Sequence, residues 1–389
     1  MASPPEPLHK SSYAESPMDQ SKSASNFLRQ QSLEARCAAG ALAPRPLQPR
    51  PIVIIGAGTI VRDAHLPAYR KAEFPVASVT DLLPGKAQTI AAQFGVANSF
   101  ESVKACVESA PANAVFDLAV PAPHLLSVLH QLPDGVPVLL QKPMGETIEE
   151  ACEIRDLCRA KRLVAAVNFQ LRYAPVNLAA RSLFAEGITG ELHDMELQIR
   201  THMPWAQWTY LEKAPRLEIL YHSIHYIDLV RAWLGNPKSI SASTTRHPAV
   251  AHLAATKTVL FMDYGPAKRV FIATNHGFDL GEYERSYVQW EGVDGAMRGT
   301  LGVNIDYPRG IPDELRYASR KQDKQWHTFP ITGNWFPDAF MGSMGALQAF
   351  VEGSVSELPS RVDDAYQTMA LVEAAYLSSA ASGAPINWE

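Results

Sequence analysis

Apolar and polar positions follow two different rules along this chain. From 51 to about 170, short apolar runs alternate with amphipathic stretches. The runs at 52–55, 76–80, 114–120, 137–141 and 163–168 read as strands. The stretches near 60–72, 84–94, 124–132 and 147–161 carry helical spacing. Ile52-Val53-Ile54-Ile55 is apolar at every position, as a parallel strand covered on both faces requires. Thr147 followed by Glu150 is a capping-box signature for the last of these helices. Strand–helix alternation predicts a doubly wound parallel sheet, an α/β domain over 51–172.

Beyond 172 the period changes. Asp194-Met195-Glu196-Leu197-Gln198-Ile199-Arg200 alternates strictly, so it predicts a strand with one wet face. Further strands are expected near 239–245, 256–264, 268–275, 285–291 and 297–303. Helices are expected at about 215–234, 338–352 and 362–381. Residues 173–389 thus read as an α+β domain with an open, mostly antiparallel sheet. Residues 1–50 are rich in Ser, Pro, Ala and Gln and end in Pro-Arg-Pro-Leu-Gln-Pro-Arg-Pro at 44–51. That composition predicts a disordered extension with a stiff lead-in, and a short helix around 25–38 is compatible with it.

Composition narrows the function. The 389 residues are 47% hydrophobic and 19% charged, with net charge −5 and no long basic run. This favours a globular enzyme over a nucleic-acid or anionic-membrane binder. No apolar stretch reaches the ~20 residues of a membrane span, and the N-terminus lacks a signal-peptide core, so a cytoplasmic protein is expected. Cys37, Cys106, Cys152 and Cys158 lack metal-ligand spacing. They read as small hydrophobes in a reducing compartment, with no metal implied.

In doubly wound sheets, ligands bind beyond the carboxyl ends of the strands. The first such end is Gly56-Ala57-Gly58, followed by Thr59 and Ile60 at the start of a helix. Glycines there let backbone amides approach a pyrophosphate, although a tight turn alone would also use them. The third glycine position of the fingerprint holds Val61. Asp81 ends the second strand, 25 residues after Gly56, near the expected ribose-binding acid. A carboxylate at that place accepts from ribose hydroxyls and repels a 2′-phosphate, so NAD is expected over NADP. Gln141-Lys142-Pro143 ends another strand. A partly desolvated Lys142 would have a lowered pKa and could exchange a proton with a substrate hydroxyl; a solvated strand-end lysine is the plainer alternative. Its proline restricts Lys142 to extended geometry and allows a cis bond. Tyr221, His225 and Asp228 share one helical face at i, i+4 and i+7, and His225 titrates where a general base should. His222 competes with it, as substrate ligand or as base. Pro121 and His124 suit the cofactor, with a helix N-terminal role equally open for His124. Arg172 could meet substrate or cofactor. Trp205 and Trp208 offer aromatic faces to a sugar or to a core. His65 suits packing better than catalysis.

In combination these motifs resemble the Gfo/Idh/MocA oxidoreductases. The likeness rests on Gly56-x-Gly58, His65-Leu66-Pro67, Pro121-Ala122-Pro123-His124, Gln141-Lys142-Pro143, the segment Tyr221 to Asp228, and Trp233-Leu234-Gly235. It implies that Lys142 polarises a substrate hydroxyl while His225 exchanges its proton. Gln141 stands where the family has glutamate, and Tyr221 where it often has a catalytic aspartate. The expected function is NAD(P)-dependent hydride transfer from a secondary alcohol of a sugar, inositol or glycoside. A redox-neutral glycoside-processing enzyme with tightly held NAD, and a dinucleotide-sensing regulator, are the alternatives. The resemblance further implies a homodimer or homotetramer.

Overall fold

A computed structural model describes residues 32–381 and Gly383. Six parallel strands form the first sheet: β1 (Ile52–Ile55), β2 (Val76–Thr80), β3 (Asn98–Phe100), β4 (Val115–Leu118), β5 (Pro137–Leu140) and β6 (Val164–Val167), in the order β3-β2-β1-β4-β5-β6. The order reverses between β1 and β4, which opens a crevice at their carboxyl ends. β1, β4 and β5 are buried throughout because helices cover both faces. The strand β3 and the helix Val103–Glu108 have no strong sequence signal: β3 is short and largely exposed. Thr147 does cap the helix Ile148–Ala160, accepting from the Glu150 N–H at 3.2 Å.

The second sheet holds β7 (Leu192–Arg200), β8 (Ser239–Thr245), β9 (Lys257–Asp263), β10 (Arg269–Asn275), β11 (Arg285–Gly292), β12 (Gly295–Thr300), β13 (Leu315–Ser319) and β14 (His327–Phe329). Its order is β14-β13-β12-β11-β7-β10-β9-β8, antiparallel except for the parallel pair β7–β10. Alternating burial along β7 buries Met195, Leu197 and Ile199. The helix Pro175–Ala185, which the sequence reading passed over, joins the two sheets. Among the described residues, no helix is long and apolar enough to cross a membrane.

Two findings change the segment boundaries read from sequence. Residues 32–50, read as part of a disordered extension, are packed. Residues 32–37 are helical, and Leu33 and Cys37, four apart, both enter the core. The Pro-rich stretch that follows is pinned by side-chain acceptors: Glu352 takes the Leu47 N–H at 2.7 Å and Gln348 the Arg50 N–H at 2.7 Å. The remainder of that extension, 1–31, lies outside the described residues. The helix Asp338–Glu352, late in the chain, returns to the first sheet, where Phe340, Met344 and Leu347 pack with Ile52 and Ile54 of β1.

Candidate active site

The glycine turn divides its two tasks between its two glycines. Gly56 has φ +107°, and a Cβ there would lie 2.4 Å from the Ala119 carbonyl oxygen, so this position fits only glycine. A Cβ on Gly58 would meet nothing within 4 Å: this glycine borders open space rather than protein. The Gly58 carbonyl accepts from the Val61 and Arg62 N–H groups at 3.1 and 3.2 Å, and helix begins at Thr59. Its next turn, Val61–His65, is π-helical. Asp81, at the end of β2, reaches back over this turn. It accepts from the Ala57 N–H at 2.9 Å and the Leu83 N–H at 3.0 Å, and its carboxylate lies 2.9 Å from the Lys86 ammonium. Burial alone would raise the Asp81 pKa, but these donors hold it below the usual range.

At the end of β5, the Lys142–Pro143 bond is cis. The Gln141 side-chain oxygen accepts the Lys142 N–H at 3.0 Å, and the Lys142 ammonium donates to the Tyr221 carbonyl at 2.7 Å. Burial pulls this ammonium down to about 7. The Tyr221 hydroxyl donates to Glu146 at 2.6 Å. Burial and that carboxylate raise the phenol, so Tyr221 is a donor and not a proton acceptor. His225 opens the helix Ile224–Leu234, directly after a second π turn, Ile219–Ser223. Its ring stands perpendicular to Trp335 at 5.6 Å. Its Nδ1 is buried and lacks a hydrogen-bond partner among the described residues, which leaves Nε2 to meet a ligand. Burial, then the Lys142 charge, hold His225 well below its ordinary value, so the imidazole is neutral at pH 7.

These groups line one cleft of about 830 Å³ between the sheets. Gly56, Gly58, Thr59, Ile60 and Asp81 border one end; Pro121, His124 and Gln141 follow; Lys142, Trp208, Tyr221, His222 and His225 border the same cavity. The open space at Gly58 and the acid above it fit a dinucleotide. Residues 50–169 match the family described as "Oxidoreductase family, NAD-binding Rossmann fold", GFO_IDH_MocA. Residues 50–169 are thus the NAD-binding domain of a Gfo/Idh/MocA-type oxidoreductase. It is 22% identical to D-apiose dehydrogenase of Rhizobium rhizogenes over 326 residues, 80% of this chain and 90% of that one. It is 26% identical to D-glucoside 3-dehydrogenase of Escherichia coli over 200 residues, 50% of this chain and 57% of that one. An Agrobacterium radiobacter oxidoreductase crystallised with NAD+, L-tartaric acid and magnesium has the same fold, with TM-score 0.71 and 17% identity over 86% of this chain and 97% of that one.

Two residues expected at the site lie elsewhere. Arg172 does not line the cleft. Its guanidinium is committed to Asp228 at 2.6 and 2.7 Å, Asp364 at 2.6 Å and the Pro359 carbonyl at 2.8 Å. Asp228, expected on the face of His225, is thereby an internal anchor tying the His225 helix to the end of the first domain. Trp205 is buried behind the cleft wall, stacked on the His222 ring at 4.8 Å and 17°. His222 joins Tyr221 and His225 at the cleft, while Asp228, three residues beyond His225 in the same α-helix, is buried against Arg172.

Sequence reasoning passed over His276, Glu218 and Glu146. His276 also borders the cleft and follows β10 directly. The strand-end rule that singled out Lys142 would have found it, had it been applied to the second sheet. Trp335 and Phe336 also line the cleft, carried there by the segment before the helix Asp338–Glu352.

Proposed function

We propose that this oxidoreductase is an NAD-dependent dehydrogenase of a secondary alcohol on a sugar or polyol, with Lys142 and His225 as its catalytic residues. The observation that carries the reading is the placement of a depressed ammonium and a neutral imidazole, from different domains, in the cavity bordered by the glycine turn. Gly56, Gly58, Thr59, Ile60 and Asp81 would hold the dinucleotide, with Pro121, His124 and Gln141 along its length. The Asp81 carboxylate favours a free ribose over a 2′-phosphate. A bound nicotinamide supplies the hydride acceptor.

The chain's own residues manage the proton. Lys142, fixed by the Tyr221 carbonyl at 2.7 Å, donates to the substrate oxygen and orients it. The neutral His225 takes the hydroxyl proton as the carbon gives up its hydride. Glu146 holds the Tyr221 hydroxyl at 2.6 Å, so Tyr221 positions the Lys142 acceptor and does not exchange protons itself. Names of relatives support the substrate class: D-apiose and D-glucoside dehydrogenases both act on polyhydroxy compounds.

The test is a screen of sugars, polyols and glycosides with NAD and with NADP, followed by reduced-nicotinamide absorbance. On the best substrate, Lys142→Ala and His225→Ala should each lower kcat by about 10²–10⁴-fold while NAD affinity changes little. Wild-type rates in both variants would defeat the assignment.

A further inference from the structure

Behind His222 lies a layered assembly that the proton-handling pair does not use. The His222 ring is half-buried in the cleft wall. Trp205 stacks on it at 4.8 Å, and His276 meets it edge-on at 4.6 Å and 73°. His276 donates from Nε2 to Glu218 at 3.2 Å. The Ser223 hydroxyl donates to both Glu218 oxygens, at 2.8 and 3.0 Å. Glu218 and His276 are both essentially inaccessible to solvent. The His276 backbone is fixed from two sides, donating to the Thr256 carbonyl at 3.2 Å and accepting from the Met203 N–H at 3.1 Å.

A buried, hydrogen-bonded histidine–carboxylate pair is costly to build unless its geometry is needed, since desolvating both groups offsets most of their attraction. Here it backs a ring, His222, whose Nδ1 is buried without a partner among the described residues. The nitrogen left for the cleft is Nε2. Burial, then the neighbouring His276, Lys142 and His225, keep His222 neutral and so able to accept a hydrogen bond. His222 and His225 are three residues apart on adjoining helical turns, close enough to address two hydroxyls of one small molecule.

We propose that His222 accepts a hydrogen bond from a second hydroxyl, neighbouring the one oxidised, and that Glu218 and His276 are positioning residues that hold it there. The site therefore selects a vicinal diol unit over an isolated secondary alcohol. The proposal rests on the dehydrogenase reading above and deepens it: it names what the substrate must carry besides the reacting carbon.

The test compares methyl β-D-glucopyranoside and myo-inositol with their monodeoxy analogues. Binding to the protein–NADH complex is followed by calorimetry and turnover by absorbance. Wild type should bind at least one parent compound about tenfold more tightly than an analogue lacking one hydroxyl beside the reacting carbon. His222→Phe, which keeps a flat ring, should raise KM for that parent about tenfold with kcat changed less than about threefold. It should leave the deoxy analogue unaffected. Glu218→Gln and His276→Asn should shift the parent in the same direction by less, and should add little in a His222→Phe background, because they act through that ring. Equal losses on parent and analogue, unchanged selectivity in every variant, or no preference in wild type would each overturn the proposal. Selective binding of the parent without reduction of NAD would instead overturn the dehydrogenase reading and leave the diol site standing.

Discussion

Each half of this molecule carries a five-residue π turn beside the cleft and a histidine buried against a carboxylate, yet the two histidines do different work. In the first half, His65 Nδ1 lies 2.6 Å from Asp117, and the Tyr69 hydroxyl donates to the same oxygen at 2.7 Å. The ring then packs on Phe340 at 4.9 Å, and neither His65 nor Asp117 borders the cavity. The pair joins the glycine-turn helix to β4 and to the helix Asp338–Glu352. In the second half, the Glu218–His276 pair backs His222, which does border the cavity. A buried histidine–acid pair is therefore not a site by virtue of its chemistry. The face its ring presents decides whether it braces the core or a ligand wall.

The largest expected effect breaks the first pair. Asp117→Ala strands the Tyr69 hydroxyl and His65 in a dry core and should cost about 3–5 kcal/mol, read as a drop in the denaturant midpoint. Activity per folded molecule should stay near wild type. A selective change in substrate KM from Asp117→Ala would erase the contrast between the halves.

The pH dependence comes next, because Lys142 sits between them. Its pKa in the folded protein is about 7, below the unfolded value of about 10.4. Charge on Lys142 therefore disfavours folding, and stability should rise with pH from about 7 towards 10. In the opposite sense, kcat/KM for alcohol oxidation should fall above about 7, as Lys142 loses the charge that polarises the substrate oxygen. Lys142→Met should flatten both curves; an unmoved inflection in the variant would assign it to another group.

A smaller effect is expected at the cleft end of the first half. Asp81→Ala removes the acceptor for the Ala57 and Leu83 N–H groups and the proposed ribose partner. Loss of charged hydrogen bonds worth roughly 1.5–3 kcal/mol should weaken NAD about tenfold or more and narrow its advantage over NADP. Unchanged selectivity between the two dinucleotides would remove Asp81 from the cofactor site.

The sequence disclosed the first half far better than the second. β1 and β5 are apolar at every position, and β1, β2 and β5 lead into Gly56, Asp81 and Gln141-Lys142, so periodicity and the strand-end rule located these residues together. The antiparallel strands were legible by alternation, as in β7, but alternation does not say which strands are neighbours. That is why the parallel β7–β10 pairing, and His276 beyond it, stayed hidden. The π turn at 219–223 was also invisible, because nothing in Ile-Leu-Tyr-His-Ser departs from an ordinary helical pattern. Composition misled at 32–50, where proline and serine suggested a free tail. The anchors of that segment, Gln348 and Glu352, lie about three hundred residues further along the chain.

The most direct measurement is the rate of reduced-nicotinamide formation at saturating NAD in wild type, Lys142→Ala and His225→Ala, with dinucleotide affinity determined on the same samples. The account predicts rapid reduction by a polyhydroxy substrate in wild type, near-complete loss in both variants, and NAD binding preserved in all three. Full reduction rates in the variants, or substrate binding in wild type with no net reduction of NAD, would contradict it.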